Sequence, residues 1–211
     1  MPSARQNWFE GWRLFGVLTL ILIGLCIWIA GMRQFEAEGV RMVIRFTART
    51  SLLFFCLAFS AEALARLFPN VWTRWQRRNR RALGVTFATS HGLHAIAIGL
   101  FAAMDPVGFA ATTNLASYVF GGIGYAFIIA MAATSFDRTA AAIGPRAWRR
   151  LHLAGGCYLW LQFTVSFGKR IPDMPVYGLF LIPLVAVLAL RLIAMGRSLR
   201  LEGQASPSGS K

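Results

Sequence analysis

Six apolar stretches recur along the chain, at 14–32, 42–66, 83–104, 115–135, 151–168 and 176–196. Each is close to the roughly 20 residues a helix needs to cross the hydrocarbon core of a bilayer. In hydrocarbon every backbone amide must find its partner within the protein, which leaves helices or a closed barrel. A barrel would show short alternating strands in place of these long runs. The pattern predicts an all-α membrane protein, a bundle of six transmembrane helices; 56% of the residues are hydrophobic and only 14% charged. The connections are short, so residues 1–200 are expected to form one domain, and residues 201–211, rich in Gly and Ser, a disordered tail. The first stretch is longer than a signal-peptide core and no small-residue cleavage site follows it, so it is expected to be a retained helix.

The net charge of +14 is unevenly placed. Arg5 and Arg13 precede the first span, and Arg74, Arg77, Arg78, Arg80 and Arg81 lie between the second and third. Arg138, Arg146, Arg149 and Arg150 lie between the fourth and fifth, and Arg197 and Arg200 follow the sixth. The other side mixes Arg33, Arg41, Lys169 and Arg170 with Glu36, Glu38, Asp105 and Asp173. This alternation is the positive-inside pattern; it places both termini in the cytoplasm and the protein in the cytoplasmic (inner) membrane. The arginine clusters then face anionic headgroups of the lipid bilayer, and no nucleic-acid partner is expected.

Within this apolar background there are three histidines: His91 and His94 in the third span, His152 at the start of the fifth. An ionisable ring is costly in hydrocarbon and usually faces the bundle interior or a cavity. Inward imidazoles from two helices are what a bis-histidine b-type haem requires of its protein, because haem iron takes axial nitrogen ligands. His91 and His94 are one turn apart, about 4.5 Å of rise, too close to serve two stacked haems, so one haem is the expected count. Both spans run outward from the cytoplasmic side. Their starts put His152 within a turn of the edge, His91 roughly 12 Å in and His94 roughly 16 Å in. Depth therefore favours His91 as the partner of His152.

Other polar residues have plainer explanations. Arg45 sits where it can snorkel; Arg49, deeper, is placed to pair an anion such as a haem propionate. Glu62 and Arg66 are spaced for an i,i+4 ion pair. Gly121, Gly122, Gly124, Gly155 and Gly156 permit close helix approach or a flat macrocycle. Gln162 and Trp160 are expected at interfaces or in packing, and Trp8, Trp12, Trp72, Trp75 and Trp148 in an interfacial belt. Cys26, Cys56 and Cys157, odd in number and unspaced, are expected to be buried apolar residues rather than a disulfide framework or zinc site. Asp105 and Asp137 fall in loops on opposite faces. No phosphate-binding glycine loop follows a strand, so no nicotinamide or flavin domain of the usual form is present in the sequence.

The run Arg80-Arg81-Ala82-Leu83-Gly84-Val85 with His94 ten residues after Gly84 resembles the third helix of the ferric reductase-like transmembrane domain superfamily. Ala133-Thr134-Ser135, Gly144 and Trp148-Arg149-Arg150-Leu151-His152 resemble its junction between the fourth and fifth helices. The resemblance is closest to the haem-binding membrane subunit of the bacterial methionine-sulfoxide reductase system and covers most of the six-helix core. It implies one or two b haems held between the third and fifth helices. It favours His94 over His91, so the axial ligand among these two stays open. The sequence departs from the family where a second fifth-helix histidine commonly stands, thirteen residues after the first, a position occupied here by Val165. A single haem b held by His91 or His94 with His152 is the expectation, with Arg149, Arg150 and Arg49 near its propionates. Such a protein would relay electrons from a separate donor, a quinol or flavoprotein, to a separate acceptor, in the manner of the haem-binding subunit of a transmembrane oxidoreductase. The alternative is a non-catalytic membrane subunit or transporter-like bundle whose histidines serve a proton or ligand path.

Overall fold

The computed structural model describes residues 9–205. Arg5, Trp8 and residues 206–211 of the expected tail lie outside the described residues. Among those described, α-helices form at α1 (Gly11–Gly31), α2 (Ala37–Leu67), α3 (Val71–Arg78), α4 (Arg80–Met104), α5 (Pro106–Thr112), α6 (Leu115–Ala133), α7 (Asp137–Gly168) and α8 (Leu181–Ala205). A 3₁₀ turn over Pro175–Phe180 leads into α8, and no strand forms among the described residues. Five segments are long and apolar enough to cross a membrane: Gly11–Gly31, Ala37–Leu67, Arg80–Met104, Leu115–Ala133 and Pro175–Ser198. This is an all-helical, multi-pass membrane protein, and a lipid bilayer is its environment. The stretch 151–168 is helical throughout as part of α7 but is not among those five. His152, Gln162, Thr164, Ser166 and the Gly155-Gly156 pair make it more polar than the others.

Two short helices occupy segments expected to be loops. α3 starts on a capping box, with Asn70 Oδ1 accepting from Thr73 N and Thr73 Oγ1 from Asn70 N, both at 3.0 Å. It exposes Trp72 and its arginines while burying Thr73 and Gln76. Gln76 Nε2 donates to Leu57 O at 2.8 Å, and Trp75 Nε1 donates to Phe9 O at 2.8 Å. Asn79, 1% exposed between α3 and α4, accepts from Gly11 N at 2.7 Å and so anchors the start of α1. Gly11 has φ +59°, a conformation only glycine adopts without strain, and this lets its amide turn toward Asn79. α5 is capped by Asp105, which accepts from Gly108 N at 2.9 Å, with Pro106 in its first turn.

α7 is two helical segments joined at Gly144, whose backbone is non-helical at φ 75°, ψ 164°. Pro145 then starts the second segment, where a missing N–H costs nothing. That segment begins six residues before the expected 151, so His152 lies about 10 Å into its helix instead of at its edge. At the other end of the chain α8 stays helical to Ala205, past the expected start of the tail at 201.

The bundle is built on the antiparallel contact of α2 with α4. Phe55 faces Phe87 at 5.7 Å between ring centroids, and Ala58 faces Gly84. Phe163 and Phe167 of α7, with Leu184 and Val187 of α8, complete one buried cluster; Val40, Val43, Ala97 and Phe101 form a second toward the opposite end. Between them lie four hydroxyl side chains with no exposure at all, Thr47, Ser51, Thr86 and Ser90. Small polar residues of this kind let helix backbones approach closely in lipid, where apolar surface alone gives helices no reason to associate. Leu20, Val119 and Ile182 are exposed on the outside of the bundle, as lipid-facing residues are.

Candidate functional site

The structure arranges the three histidines at two levels. At the first, the rings of His91 and His94 stack at 5.2 Å with 29° between planes. His94 Nδ1 lies 3.1 Å from Ile44 O and 3.0 Å from Thr47 Oγ1. A carbonyl only accepts, so Nδ1 carries the proton and Nε2 is left with its lone pair. A backbone carbonyl on one ring nitrogen is the arrangement that orients a histidine to ligate through the other. Thr47 in turn donates to Val43 O at 2.7 Å. Ser90 Oγ is 3.3 Å from Thr47 O, and it also meets Thr50 Oγ1 at 2.8 Å and Ser51 Oγ at 3.0 Å. His91 is held by rings, those of Tyr125 at 5.0 Å, Phe87 at 5.8 Å and Phe163 at 6.0 Å, and its buried Nδ1 has no hydrogen-bond partner.

The second level is a cavity of about 300 Å³ lined by His152, Trp148, Arg80, Arg81, Gly84 and Gly156, among others. Trp148 stacks on His152 at 4.2 Å, donates from Nε1 to Thr134 O at 3.0 Å and lines this cavity. His152 Nε2 is 3.2 Å from Thr134 Oγ1, whose own proton goes to Ala130 O at 2.7 Å. The hydroxyl is thus the acceptor and the imidazole lone pair sits on Nδ1. Gly156 packs against Phe59, where a Cβ would stand 2.7 Å from the ring, so the glycine lets α2 and α7 meet. Gly155 and Gly124 are likewise covered, by Met131 and by Gln162, while Gly121 and Gly122 face open space. Gln162 Oε1 is buried against Gly124 without a partner.

The levels do not meet. His91 packs on Phe163, eleven residues and about 16 Å along α7 from His152. The cavity holding His152 is bordered on α4 by Gly84, Phe87 and Ala88, not by either histidine of that helix. The depth pairing of His91 with His152 is corrected accordingly. It assumed a membrane segment starting near 151, whereas the second half of α7 starts at Pro145 and its register against α4 is set by Phe163 against Phe87.

The arginines are also redistributed. Arg149 and Arg150 are exposed and lie outside the cavity lining; Arg80 and Arg81 of α4, also exposed, are the arginines that border it. Arg49 is exposed, 5.5 Å over the Phe180 ring, and Arg170 approaches Tyr177 OH at 3.4 Å. Arg45 Nη1 lies 3.5 Å from Glu38, and Glu62 takes Arg66 at 2.9 Å as its spacing predicts. Cys56 is buried and Cys26 partly so, but Cys157 is exposed. No cluster of three or more His, Cys, Asp or Glu with metal-binding placement occurs among the described residues. The hydroxyls around His94 were not singled out by sequence reasoning, although Thr47, Thr50 and Ser51 in an apolar helix were the available signal.

Asp137, at the start of α7, pairs with Arg81 beside the cavity. The hydrogen bond from the guanidinium, and then its charge, hold the Asp137 carboxyl below the usual aspartate range. A carboxyl depressed by folding stabilises the fold above its unfolded pKa, and that contribution is lost as pH falls through the folded value. Asp137→Asn is therefore expected to flatten the acid side of the unfolding profile slightly and leave neutral-pH stability nearly unchanged, because the pair is well exposed. Thermal unfolding of both proteins across pH 3 to 7 checks this; a large loss at neutral pH contradicts it.

No family model, curated protein or solved structure matches this chain.

Proposed function

We propose that this chain is an inner-membrane protein of the ferric reductase-like kind, with six spans and both termini cytoplasmic, which holds one haem b and relays electrons between a separate donor and a separate acceptor. The observation that carries the reading is the cavity at His152. It brings the His152 imidazole together with Arg80, with Arg81, which is paired with Asp137, and with a wall that Phe59 and Gly156 form against each other. An apolar ring bearing two carboxylates calls for groups of these kinds: a nitrogen for the metal and cations for the carboxylates. The residues present fit such a group, with Arg80 and Arg81 taking the place expected for Arg149 and Arg150. When bound, haem supplies a one-electron carrier. His152 would bind it, Trp148 would hold the imidazole plane, and Thr134 would restrain ring rotation. His94, with its Nε2 free, is the alternative ligand at the other level.

A purified preparation is expected to show a reducible Soret band with α and β bands, and a pyridine haemochrome assay close to one haem per chain. A ratio near two, or colourless folded protein, sinks the proposal. Colourless protein would favour the second reading, a proton or ligand path. The linked hydroxyls of Thr50, Ser51 and Ser90, the Thr47 hydroxyl on His94, and the unpaired Nδ1 of His91 beside it are what speak for that reading.

A further inference from the structure

On the far side of Phe59 from the His152 cavity lies a second, larger one of about 500 Å³, between α2, α7 and α8. Its walls are apolar, with Leu153, Leu188 and Trp160 among them, and its polar groups include Glu62, Arg66, Arg191 and Ser198. Glu62 is taken by Arg66 at 2.9 Å, and Arg66 also reaches Ser198 Oγ at 3.4 Å. Arg191 has no carboxylate partner among the described residues. Its guanidinium lies 4.0 Å over the Phe59 ring and donates once, from Nη1 to Phe59 O at 3.0 Å. A guanidinium has five N–H donors, and this bond uses one of them. One carboxylate against two guanidiniums leaves the cavity with one excess positive charge, inside a helix that is otherwise apolar enough to cross a membrane. An intramembrane cation without a counter-ion is expensive and marks a ligand or pathway.

We infer that this cavity binds one anionic glycerophospholipid, its phosphodiester on Arg191 and its acyl chains along Leu153 and Leu188. The apolar walls select a lipid over free phosphate, which has nothing to lay against them. The excess positive charge selects an anionic headgroup over a zwitterionic one, whose ammonium would be brought close to Arg66 and Arg191. The position also suits a lipid: Arg197 and Arg200 follow within three turns of Arg191, near the end of α8 where headgroups lie. Nothing in this inference depends on haem.

The test uses the purified full chain in detergent, with dioleoylphosphatidylglycerol, dioleoylphosphatidylcholine or inorganic phosphate added. Phosphatidylglycerol is expected to raise the unfolding temperature over phosphatidylcholine by roughly 5 °C, the size expected for a ligand near a hundred times its dissociation constant. Arg191→Gln should abolish that difference, and inorganic phosphate should give no shift. A wild-type protein indifferent to headgroup overturns the inference, as does an Arg191→Gln protein that keeps the difference, or a phosphate shift equal to that of the lipid. Should Arg191→Gln fail to fold, brominated lipids decide on the native residue. The Trp160 fluorescence, taken as wild type minus Trp160→Phe, should be quenched more by brominated phosphatidylglycerol than by brominated phosphatidylcholine. Equal quenching overturns the assignment.

Discussion

His152→Ala is expected to lose haem by at least about tenfold relative to wild type while reaching the membrane in normal amount. Loss of even an outer-shell partner costs a metal site 10- to 100-fold, and His152 is the one imidazole lining the cavity beside Arg80 and Arg81. Insertion should survive because it depends on long apolar helices, and five of these are independent of α7. The neighbouring residues sharpen the result. Arg80→Gln and Arg81→Gln should weaken haem retention, since their guanidiniums line the cavity. Arg149→Gln and Arg150→Gln should not, since both are exposed and neither lines the cavity. The measurement is haem per protein by pyridine haemochrome, with membrane content followed by immunoblot. A wild-type absorption spectrum in His152→Ala would move the ligand assignment to the His91–His94 level, and the resemblance read from Trp148 to His152 would then speak for fold alone.

Ser90→Leu is expected to destabilise the folded bundle by about 3 kcal/mol. Ser90 has 0% exposure between α2 and α4 and touches Thr50 Oγ1 at 2.8 Å, Ser51 Oγ at 3.0 Å and Thr47 O at 3.3 Å. Overfilling a close-packed site costs roughly 1–3 kcal/mol. The lost interhelical hydrogen bonds add about 0.6 kcal/mol each, the average found in membrane proteins. Ser90→Ala removes the bonds without the overfilling and should cost only about 1–2 kcal/mol. Unfolding in mixed micelles with increasing denaturing detergent ranks the three proteins. If Ser90→Leu unfolds no earlier than Ser90→Ala, α2 and α4 are not in the close contact described.

The apolar runs were legible because crossing hydrocarbon is a requirement on local composition. The first, second, third, fourth and sixth spans appear as helices with ends within a few residues of those read from sequence, except that α2 starts earlier, at Ala37, and α8 runs on to Ala205. The fifth was harder. Its polar residues lower its apolar character, and its true start depends on Gly144 adopting a positive φ and Pro145 opening a helix. α3 was hidden for a related reason. Its stability comes from the Asn70–Thr73 cap and from Gln76 reaching across to Leu57 O, while its composition is that of a charged loop.

Which residues stand out was a local question, because a histidine or arginine inside an apolar run is costly wherever the helix packs. Which of them share a site was not local. The register of α4 against α7 follows from Phe87 meeting Phe163 and Gly156 admitting Phe59, contacts between residues far apart in the chain. That register seats His91 on Phe163, about 16 Å along α7 from His152, puts Arg80 and Arg81 on the cavity border in place of Arg149 and Arg150, and leaves Arg191 beside an apolar groove. Hydropathy and charge belong to single residues and their neighbours in sequence; the relative height of two packed helices belongs to the shapes of both faces together, so only the tertiary structure decides it.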